Sequence, residues 1–425
     1  MKTGYLIKLS AFLLAFLLPS GITAQVLEKV EPEKVGMSSE RLNRLTTTFQ
    51  QYVDSGKLAG SVALVARHGQ IAYFHSFGKS DMENNTPMQD NSIFRIASQT
   101  KAIISVGIMM LQEEGKLLIT DPVGKYIPAF YKTTVAIPKE VGGYEIVKAS
   151  RLITIRDLLR HTSGIGYGDG IAKDLWEKAK IQGWYFADRD EPIQAVVNRM
   201  AGLPFDAQPG EKFVYGYSSD ILGALIEVVS GEPLDKFLQN RILGPLGMND
   251  TYFFLPKEKR DRLTTVYSSS ANGLEKAPNP GGMVGQGSYV EGPRKCFSGG
   301  AGFLSTAIDY AKFLQMMLNN GELNGKRIIS RKTVELMTVN HLGDVTFPWT
   351  KGTGFGLGFS ILEDLGSRGT LGSEGEFGWG GAYHSTYWVD PKEELVVVYF
   401  TQLIPAIGVD DHDKLRALVY QAIID

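Results

Sequence analysis

A serine and a lysine three positions apart, Ser98 and Lys101, are the residues of this chain best suited to covalent chemistry. On a helix, side chains at this spacing lie on the same face, one turn apart. A serine hydroxyl is a poor nucleophile at its free pKa, but an amine held against it can accept its proton. Helix ends also present backbone N–H groups that stabilise a developing oxyanion. The pair therefore predicts a nucleophile with an adjacent base.

The segment that follows the pair predicts a buried helix. Residues 102–111 are too apolar for a surface segment, and Gly115 marks the end of the helix. Ser-x-x-Lys alone is a weak pattern, and Ser76 and Lys79 have the same spacing. That second pair falls in the Gly-rich tail of a predicted hairpin, where nothing holds the two side chains together. Ser98 is favoured because it opens the buried helix.

Two other side chains offer competing chemistry. Cys296, the only cysteine, lies between basic residues and a Gly-rich stretch that can lower a thiol pKa, but a lone thiol near a loop is more often incidental. His161 is a candidate general base, although a histidine that hydrogen-bonds a loop is the preferred interpretation. A single cysteine excludes an intramolecular disulfide and a metal site built from several thiols.

Composition bounds the class of protein. The chain has 425 residues, of which 43% are hydrophobic and 21% charged, as in an ordinary globular protein with a large core. Its length suggests two or three domains, one of which can be split in sequence. The formal net charge of −2 and the absence of basic runs argue against a nucleic-acid partner.

The N-terminus has the pattern of a secretory signal. Lys2 and Lys8 precede an apolar block at 11–18, and small residues lead to a cleavage site after Ala24. We therefore expect residues 1–24 to be removed and the protein to be secreted or periplasmic, without stable membrane insertion. A retained N-terminal anchor is the alternative.

Strand patterns occur near both ends of the chain, and most of the helical patterns lie between them. Helical spacing is found at 38–55, 154–159, 171–181, 192–200, 221–229, 305–318, 330–338 and 415–423. Strand patterns are found at 61–67, 70–75, 383–389 and 395–400. Residues 131–151 are predicted as loop, and 268–295 as a long irregular excursion that shapes the pocket entrance.

The simplest packing of these elements is an α+β fold. The strands of both chain ends join one antiparallel sheet flanked by helices. This predicts a signal peptide at 1–24, a discontinuous α/β domain at 25–125 and 300–425, and a mostly helical inserted region at 126–299.

Three pieces far apart in the chain form a recognisable set: Ser-Gln-Thr-Lys at 98–101, Tyr215 before a second helix, and Gly-Trp-Gly-Gly-Ala at 378–382. In this order they resemble the motifs of the serine β-lactamase and penicillin-binding-protein superfamily. His-Thr-Ser-Gly at 161–164 and Trp-Val-Asp-Pro at 388–391 also match. The resemblance covers nearly the whole mature chain and implies the β-lactamase/transpeptidase-like fold.

Two departures narrow the resemblance. Class C β-lactamases have Tyr-x-Asn and Lys-Thr-Gly, whereas this chain has Tyr-Gly-Tyr at 215–217 and Trp-Gly-Gly at 379–381. Trp-Gly-Gly is similar to the bacterial carboxylesterases built on the class C fold, the family VIII type. A lysine at 379 would attract a lactam carboxylate, whereas Trp379 offers an apolar face and an N–H. This change favours a neutral ester.

The resemblance also implies roles for residues. Ser98 attacks an ester carbonyl, and Lys101, neutral or sharing a proton with Tyr215, accepts the serine proton. Tyr215 relays that proton to the leaving alcohol and then activates water. Which of Lys101 and Tyr215 is the base in each step stays open in this superfamily. The oxyanion lies between the backbone N–H groups of Ser98 and Ala382. No metal or organic cofactor is implied.

Four further residues are expected to shape the pocket. Gly380 and Gly381 let the strand approach the acyl group without a Cβ clash. Trp379 and Tyr217 are expected to line the pocket, although Tyr217 can equally be a packing residue.

The implied substrate is a small-molecule ester or amide. Two alternatives stay open beside the esterase: a β-lactamase or D-amino-acid peptidase or amidase, and a penicillin-binding sensor that acylates without turnover. The tyrosine at 215 argues against the sensor, because it provides for deacylation.

Overall fold

This computed structural model describes residues 27–425, so the predicted signal peptide at 1–24 lies outside the described residues. In the described range, no helix combines the length and the apolar character that a membrane crossing requires.

The helices and strands of residues 27–425 alternate along the chain. The helices are α1 (Ser39–Asp54), α2 (Thr100–Glu113), α3 (Ile155–Leu159), α4 (Lys173–Lys178), α5 (Ile193–Met200), α6 (Ser218–Ser230), α7 (Leu234–Leu238), α8 (Ala307–Leu318), α9 (Arg331–Met337), α10 (Leu365–Arg368) and α11 (Asp411–Tyr420). The strands are β1 (Gly60–Arg67), β2 (Gln70–Asp81), β3 (Thr86–Pro87), β4 (Phe94–Arg95), β5 (Thr134–Pro138), β6 (Tyr144–Lys148), β7 (Pro204–Phe205), β8 (Tyr267–Ser270), β9 (Gly273–Lys276), β10 (Leu304–Ser305), β11 (Glu322–Leu323), β12 (Lys326–Arg327), β13 (Thr353–Phe355), β14 (Ser360–Leu362), β15 (Phe377–Gly381), β16 (Ser385–Asp390) and β17 (Leu395–Thr401).

Both ends of the chain build one antiparallel sheet, as the sequence predicts. Its strand order is β13-β14-β15-β16-β17-β1-β2-β3, so β1 pairs with the last strand, β17. The β1–β2 hairpin turns at His68 and Gly69, whose φ values of 51° and 74° match the positive φ that a tight hairpin requires.

Helices cover both faces of the central strands. Val62 and Leu64 of β1 face the cluster that contains α2 and α8, whereas Ala63 and Val65 face the cluster that contains α1 and α11. Because both faces are buried, β1 and β17 are nearly continuous apolar runs without polar alternation.

The apolar helix that follows Ser98 is the centre of the larger cluster. Residues 100–111 of α2 are all buried. A Cβ at Gly107 would lie 2.9 Å from Ile226 Cδ1, so the glycine lets α6 pack closely against α2. This packing fixes the position of Lys101 on the first turn of α2.

Two segments differ from the loop predictions. Residues 131–151 contain the β5–β6 hairpin, and β7 adds a parallel third strand beside β5. The sequence gives little sign of this hairpin, because β6 is largely exposed and β7, which pairs with β5, is far away in sequence. Residues 268–295 likewise include most of the β8–β9 hairpin and a 3-10 turn at Gly282–Val284, with irregular backbone elsewhere.

Candidate active site

Ser98 lies in a short 3-10 turn, Ala97–Gln99, between β4 and α2. Ala97 has φ of 43°, in the left-handed region that is costly for a residue with a side chain. Gln99, which follows the serine, is held by two hydrogen bonds: its Nε2 donates to Ser385 Oγ at 3.0 Å, and Tyr310 OH donates to its carbonyl at 2.9 Å. The turn thus presents Ser98 in one fixed orientation.

Lys101 is buried and makes three contacts with uncharged oxygens. Its Nζ lies 3.2 Å from Ser98 Oγ, 3.1 Å from Tyr167 OH and 2.7 Å from the Gly300 carbonyl oxygen. Only 2% of Lys101 is exposed, so water does not compete for these contacts. The amine is within proton-transfer reach of the serine hydroxyl.

Tyr215 flanks Lys101 with its ring rather than with its hydroxyl. Lys101 Nζ lies 4.6 Å from the centroid of the Tyr215 ring, a cation–π distance. Trp379 Nε1 donates to Tyr215 OH at 2.9 Å, and the His161 ring packs against Tyr215 at 4.7 Å. The structure therefore brings Ser98, Lys101 and Tyr215 into one cleft.

Tyr167 is a functional candidate that sequence reasoning missed. Its hydroxyl accepts from Lys101 and also interacts with the Ser98 hydroxyl. Burial, with smaller contributions from Tyr215 and Asp220, raises the pKa of Tyr167 well above its usual value, so the phenol stays protonated.

One glycine brings Tyr167 to the site. A Cβ at Gly216 would lie 2.4 Å from the Ile165 carbonyl oxygen and 2.4 Å from the Gly166 carbonyl carbon. The loop that carries Tyr167 therefore lies directly against the segment that carries Tyr215. The only sequence signal for Tyr167 is its position between two glycines, three residues after the His-Thr-Ser-Gly motif.

A buried carboxyl group supports the lysine indirectly. Ser298 Oγ and the Gly300 N–H donate to Asp220 Oδ1 at 2.7 and 3.0 Å, while the Gly300 carbonyl accepts from Lys101. Burial raises the pKa of Asp220, whose Oδ2 is buried without a hydrogen-bond partner. Asp220 thus holds the turn that positions the amine.

The strand β15 forms the opposite side of the cleft. A Cβ at Gly381 would lie 2.5 Å from the Ile96 carbonyl oxygen, so only glycine permits this approach to the nucleophile turn. Gly380 faces the Ser385 carbonyl, which a Cβ would approach to 2.9 Å. Ala382 follows β15 and lines the same cavity as Ser98.

The cavity beside Ser98 has a volume of about 630 Å³ and a strongly aromatic wall. Its aromatic lining residues include Tyr167, Trp184, Tyr215, Phe347, Trp349 and Trp379. Trp349 is 56% exposed although it packs against Tyr215 at 5.4 Å. None of the lining residues belongs to 268–295, so residues 347–350 take the place expected for that segment.

Tyr217, expected to line the pocket, is instead fully buried behind it. Its ring lies between Trp176 and Phe186, each at 5.7 Å, and its hydroxyl donates to the Gly183 carbonyl at 2.8 Å. It packs against Tyr167 at 5.1 Å, edge to face. Tyr217 is therefore a packing residue that supports Tyr167.

The two competing residues have no contact with the serine. Burial raises the pKa of the Cys296 thiol, which is the opposite of nucleophile activation. His161 is buried, and burial and the nearby Lys101 charge lower its pKa. Its Nδ1 has no hydrogen-bond partner, and its ring supports Tyr215.

Comparison with known proteins agrees with this geometry. The family model described as Beta-lactamase matches residues 45–421. The chain belongs to the Beta-lactamase family. It is 32% identical to Protein Rv1367c of Mycobacterium tuberculosis over 85% of this chain and 90% of that protein. It is 30% identical to Esterase EstB of Burkholderia gladioli over 84% of this chain and 89% of the esterase.

A solved structure extends the likeness of this Beta-lactamase family member to three dimensions. EstCE1, described as a hydrolase with promiscuous acyltransferase activity, superposes with a TM-score of 0.77 at 27% identity, covering 90% of this chain and 99% of EstCE1. The predicted membership of the serine β-lactamase and penicillin-binding-protein superfamily and the predicted α+β fold are therefore confirmed. The comparisons support a hydrolase of the β-lactamase fold.

Proposed function

We propose that this protein is a serine hydrolase that cleaves neutral carboxylic esters through an acyl-enzyme on Ser98. The observation that carries the proposal is the 3.2 Å contact between Lys101 Nζ and Ser98 Oγ inside a cavity of substrate size. Ser98 in the 3-10 turn and Lys101 in the first turn of α2 are only three residues apart on continuous helical backbone, so their mutual geometry needs no substrate to form it.

Acylation begins with attack of Ser98 Oγ on the ester carbonyl carbon. The hydroxyl proton passes to Lys101 Nζ, which keeps its contacts with Tyr167 OH and the Gly300 carbonyl. The carbonyl oxygen gains negative charge and is stabilised by the backbone N–H groups of Ser98 and Ala382. Such donors need no reorganisation during the reaction because the backbone already fixes them.

Release of the alcohol requires a proton on its oxygen. Tyr215 is positioned to donate it, because its oxygen accepts from Trp379 and its own O–H hydrogen remains available to the cavity. Lys101, protonated in the first step, contacts the ring of Tyr215 and not its hydroxyl, so a water in the cavity carries the proton back to the Tyr215 oxygen. In deacylation the transfers reverse. Tyr215 takes a proton from the water that attacks the acyl carbon and passes its own proton, through a cavity water, to Lys101. Lys101 then protonates Ser98 Oγ as the acyl–oxygen bond breaks.

The substrate class follows from the cavity wall. Position 379 carries tryptophan, whose indole N–H is already engaged by Tyr215, so the strand offers no ammonium for a lactam carboxylate. Aromatic rings surround the space next to Ser98. The names of the relatives EstB and EstCE1, an esterase and a hydrolase, support an ester substrate.

Active-site labelling tests the proposal directly. After treatment with a fluorophosphonate, peptide mass spectrometry should locate one adduct on Ser98, and Ser98→Ala should remain unlabelled. Ser76→Ala is the matched control, because Ser76 has the same spacing to a lysine but donates to Asp90 at 2.6 Å. Labelling of Ser98→Ala at another residue would overturn the assignment.

A substrate comparison separates the alternatives. A p-nitrophenyl butyrate ester should be turned over faster than nitrocefin or a D-Ala peptide. Faster nitrocefin or peptide hydrolysis would favour the lactamase or peptidase, and a persistent acyl adduct without product would favour the sensor.

We also propose that the chain is exported and cleaved after Ala24. N-terminal sequencing of the mature protein would give Gln25 as its first residue. An intact N-terminus on the exported protein would favour the retained anchor.

A further inference from the structure

Two histidines and an aspartate converge at one end of the cleft. His384 lies in the turn between β15 and β16, and Asp411 and His412 begin α11. One potential ligand atom of each residue lies within 4.8 Å of the other two. Both histidines line the cavity that also contains Ser98.

The aspartate is already oriented by its neighbours. Asp411 is fully buried, and its Oδ1 lies 2.6 Å from His384 Nε2. Tyr399 OH donates to the other carboxylate oxygen at 2.8 Å. A ligating carboxylate in a metal site is typically held by a second hydrogen bond of this kind.

His412 presents a nitrogen without a partner. Its Nε2 is buried and makes no hydrogen bond, while a ring nitrogen interacts with the backbone of His384. A histidine with one ring nitrogen held by the backbone and the other without a partner has the arrangement of a metal-ligating histidine.

His384 occupies a backbone conformation that disfavours its side chain. Its φ is 62°, in the left-handed region where glycine or asparagine is more usual. Strained residues of this kind cluster at binding sites, where the surroundings hold them in place. Here the Asp411 contact and the face-to-face packing of the two imidazoles, at 4.1 Å, hold His384.

We propose that His384, Asp411 and His412 form a binding site for one divalent transition-metal ion, best matched by Zn²⁺. Two imidazole nitrogens and one carboxylate oxygen are a donor set that Zn²⁺ favours. Water from the cavity completes the tetrahedron.

Binding requires a small rearrangement of the site. Ligand atoms around tetrahedral Zn²⁺ are separated by about 3.3 Å, given metal–ligand bonds of about 2.0 Å. The two imidazoles are nearly parallel, with 12° between their planes, so one ring must turn to aim its nitrogen at the ion. The His384 side chain, 18% exposed at the cavity, is the one with room to turn.

The test is titration of the metal-stripped full chain with Co²⁺, followed by visible absorption, and competition with Zn²⁺. We expect one equivalent to bind, with the intense bands of a four-coordinate ion, and Zn²⁺ to abolish them. His384→Asn and His412→Asn should lose the bands. Asparagine tolerates the left-handed backbone at 384, so that variant should fold. The exposed His75→Asn is the matched control and should bind normally.

Two further measurements keep the proposal open to refutation. Zn²⁺ should raise the melting temperature of the wild type but not of His384→Asn, because a ligand stabilises only the fold that binds it. Tyr399→Phe should weaken binding by about 10- to 100-fold, the usual effect of removing a hydrogen bond to a ligating side chain. Absence of bands in the wild type, or unchanged bands in His384→Asn and His412→Asn, would refute the site and leave a purely hydrogen-bonded cluster.

Discussion

Two segments bring a tyrosine to Lys101, and they do so in different ways. The loop at 165–168 presents the hydroxyl of Tyr167, which accepts from Lys101. The segment at 213–217 presents the ring face of Tyr215, whose hydroxyl accepts from Trp379 instead. The Tyr167 phenol is engaged with Lys101 and Ser98, whereas Tyr215 directs its hydroxyl to the aromatic wall.

This difference suits the two tyrosines to two separate tasks. The Tyr167 phenol, which accepts a hydrogen bond from Lys101 and interacts with Ser98, is suited to hold both side chains in position. A phenol whose O–H is free towards the cavity is suited to exchange a proton with substrate and water. Burial keeps Tyr167 protonated, which agrees with the holding role.

Removing the nucleophile or its base should have the largest effect, because both tyrosines act through them. Ser98→Ala and Lys101→Met should each lower kcat by about 10⁴-fold or more, as in other serine hydrolases that lose a residue of the nucleophile–base unit. Steady-state hydrolysis of p-nitrophenyl butyrate measures this. The double variant should be no worse than either single variant, and additive losses would contradict a single unit.

Replacing each tyrosine by phenylalanine tests whether Tyr167 and Tyr215 have different roles. Tyr215→Phe should lower kcat by about 10²- to 10⁴-fold, the scale of general acid–base catalysis. Tyr167→Phe should cost about tenfold to a hundredfold, near the value of one hydrogen bond to a charged group. Equal losses would show that the two phenols share the proton transfer, and a larger loss for Tyr167→Phe would assign the transfer to Tyr167.

The stability of Asp220 variants tests whether the buried carboxyl group that positions Lys101 is destabilising when ionised. Burial raises the Asp220 pKa, so between the unfolded value of about 3.9 and the raised folded value the native state binds more protons than the unfolded state. The Asp220 contribution to the free energy of unfolding therefore falls as pH rises through that window. The stability of Asp220→Asn relative to wild type should rise from pH 4 to pH 7 in urea unfolding.

Activity supplies the control for that variant. Asp220→Asn keeps an oxygen to accept from Ser298 and Gly300, and should keep activity within about tenfold, the loss expected for about 1.4 kcal/mol. Asp220→Ala removes the acceptor and should lose more. An Asn variant as inactive as the Ala variant would indicate that the carboxyl charge itself is required.

The aromatic wall should contribute to binding more than to chemistry. Trp349→Ala removes an exposed ring that packs against Tyr215 and should raise KM for an aromatic ester by about fivefold to tenfold, equivalent to about 1–1.4 kcal/mol. Acetate esters, which are too small to reach the ring, should change less. Equal effects on both esters would mean that the ring acts by supporting Tyr215.

The smallest effect is expected at the competing nucleophile. Cys296→Ala should leave kcat within about twofold and lower stability by about 1 kcal/mol, since the thiol is buried and makes only packing contacts. Loss of activity with an unchanged melting temperature would reopen Cys296 as a catalytic residue.

The sequence located the parts of the site whose signals are local. Ser98 and Lys101 are three residues apart, so their spacing alone predicts that they meet. The close approach of β15 depends on Gly381, which belongs to the short Trp-Gly-Gly motif. Tyr167 could not be found in this way, because its place depends on contact between its loop and Gly216 in a distant segment. Nor could spacing tell Tyr215 from Tyr217, since the turn before α6 has no regular period.

The fold, too, was predictable where its signals are local and not where an element depends on a distant segment. The hairpin of β1 and β2 and the terminal sheet were predictable because apolar runs and turn residues mark them. The β5–β6 hairpin was not, because the strands are short, β6 is exposed, and the stabilising neighbour β7 comes from more than fifty residues later. Weak local signals with remote partners are the common cause of both failures.

The pairing of β1 with β17 has a consequence for how the enzyme comes into being. The ribosome synthesises β1 long before β15, β16 and β17. A nascent chain therefore has Ser98 and Lys101 but lacks β15, which forms the opposite side of the cleft. Such a distant closure is slow to form. A chain that stops before its last strands would therefore lack one side of the cleft, and the proposed ester hydrolysis would begin only once synthesis is complete.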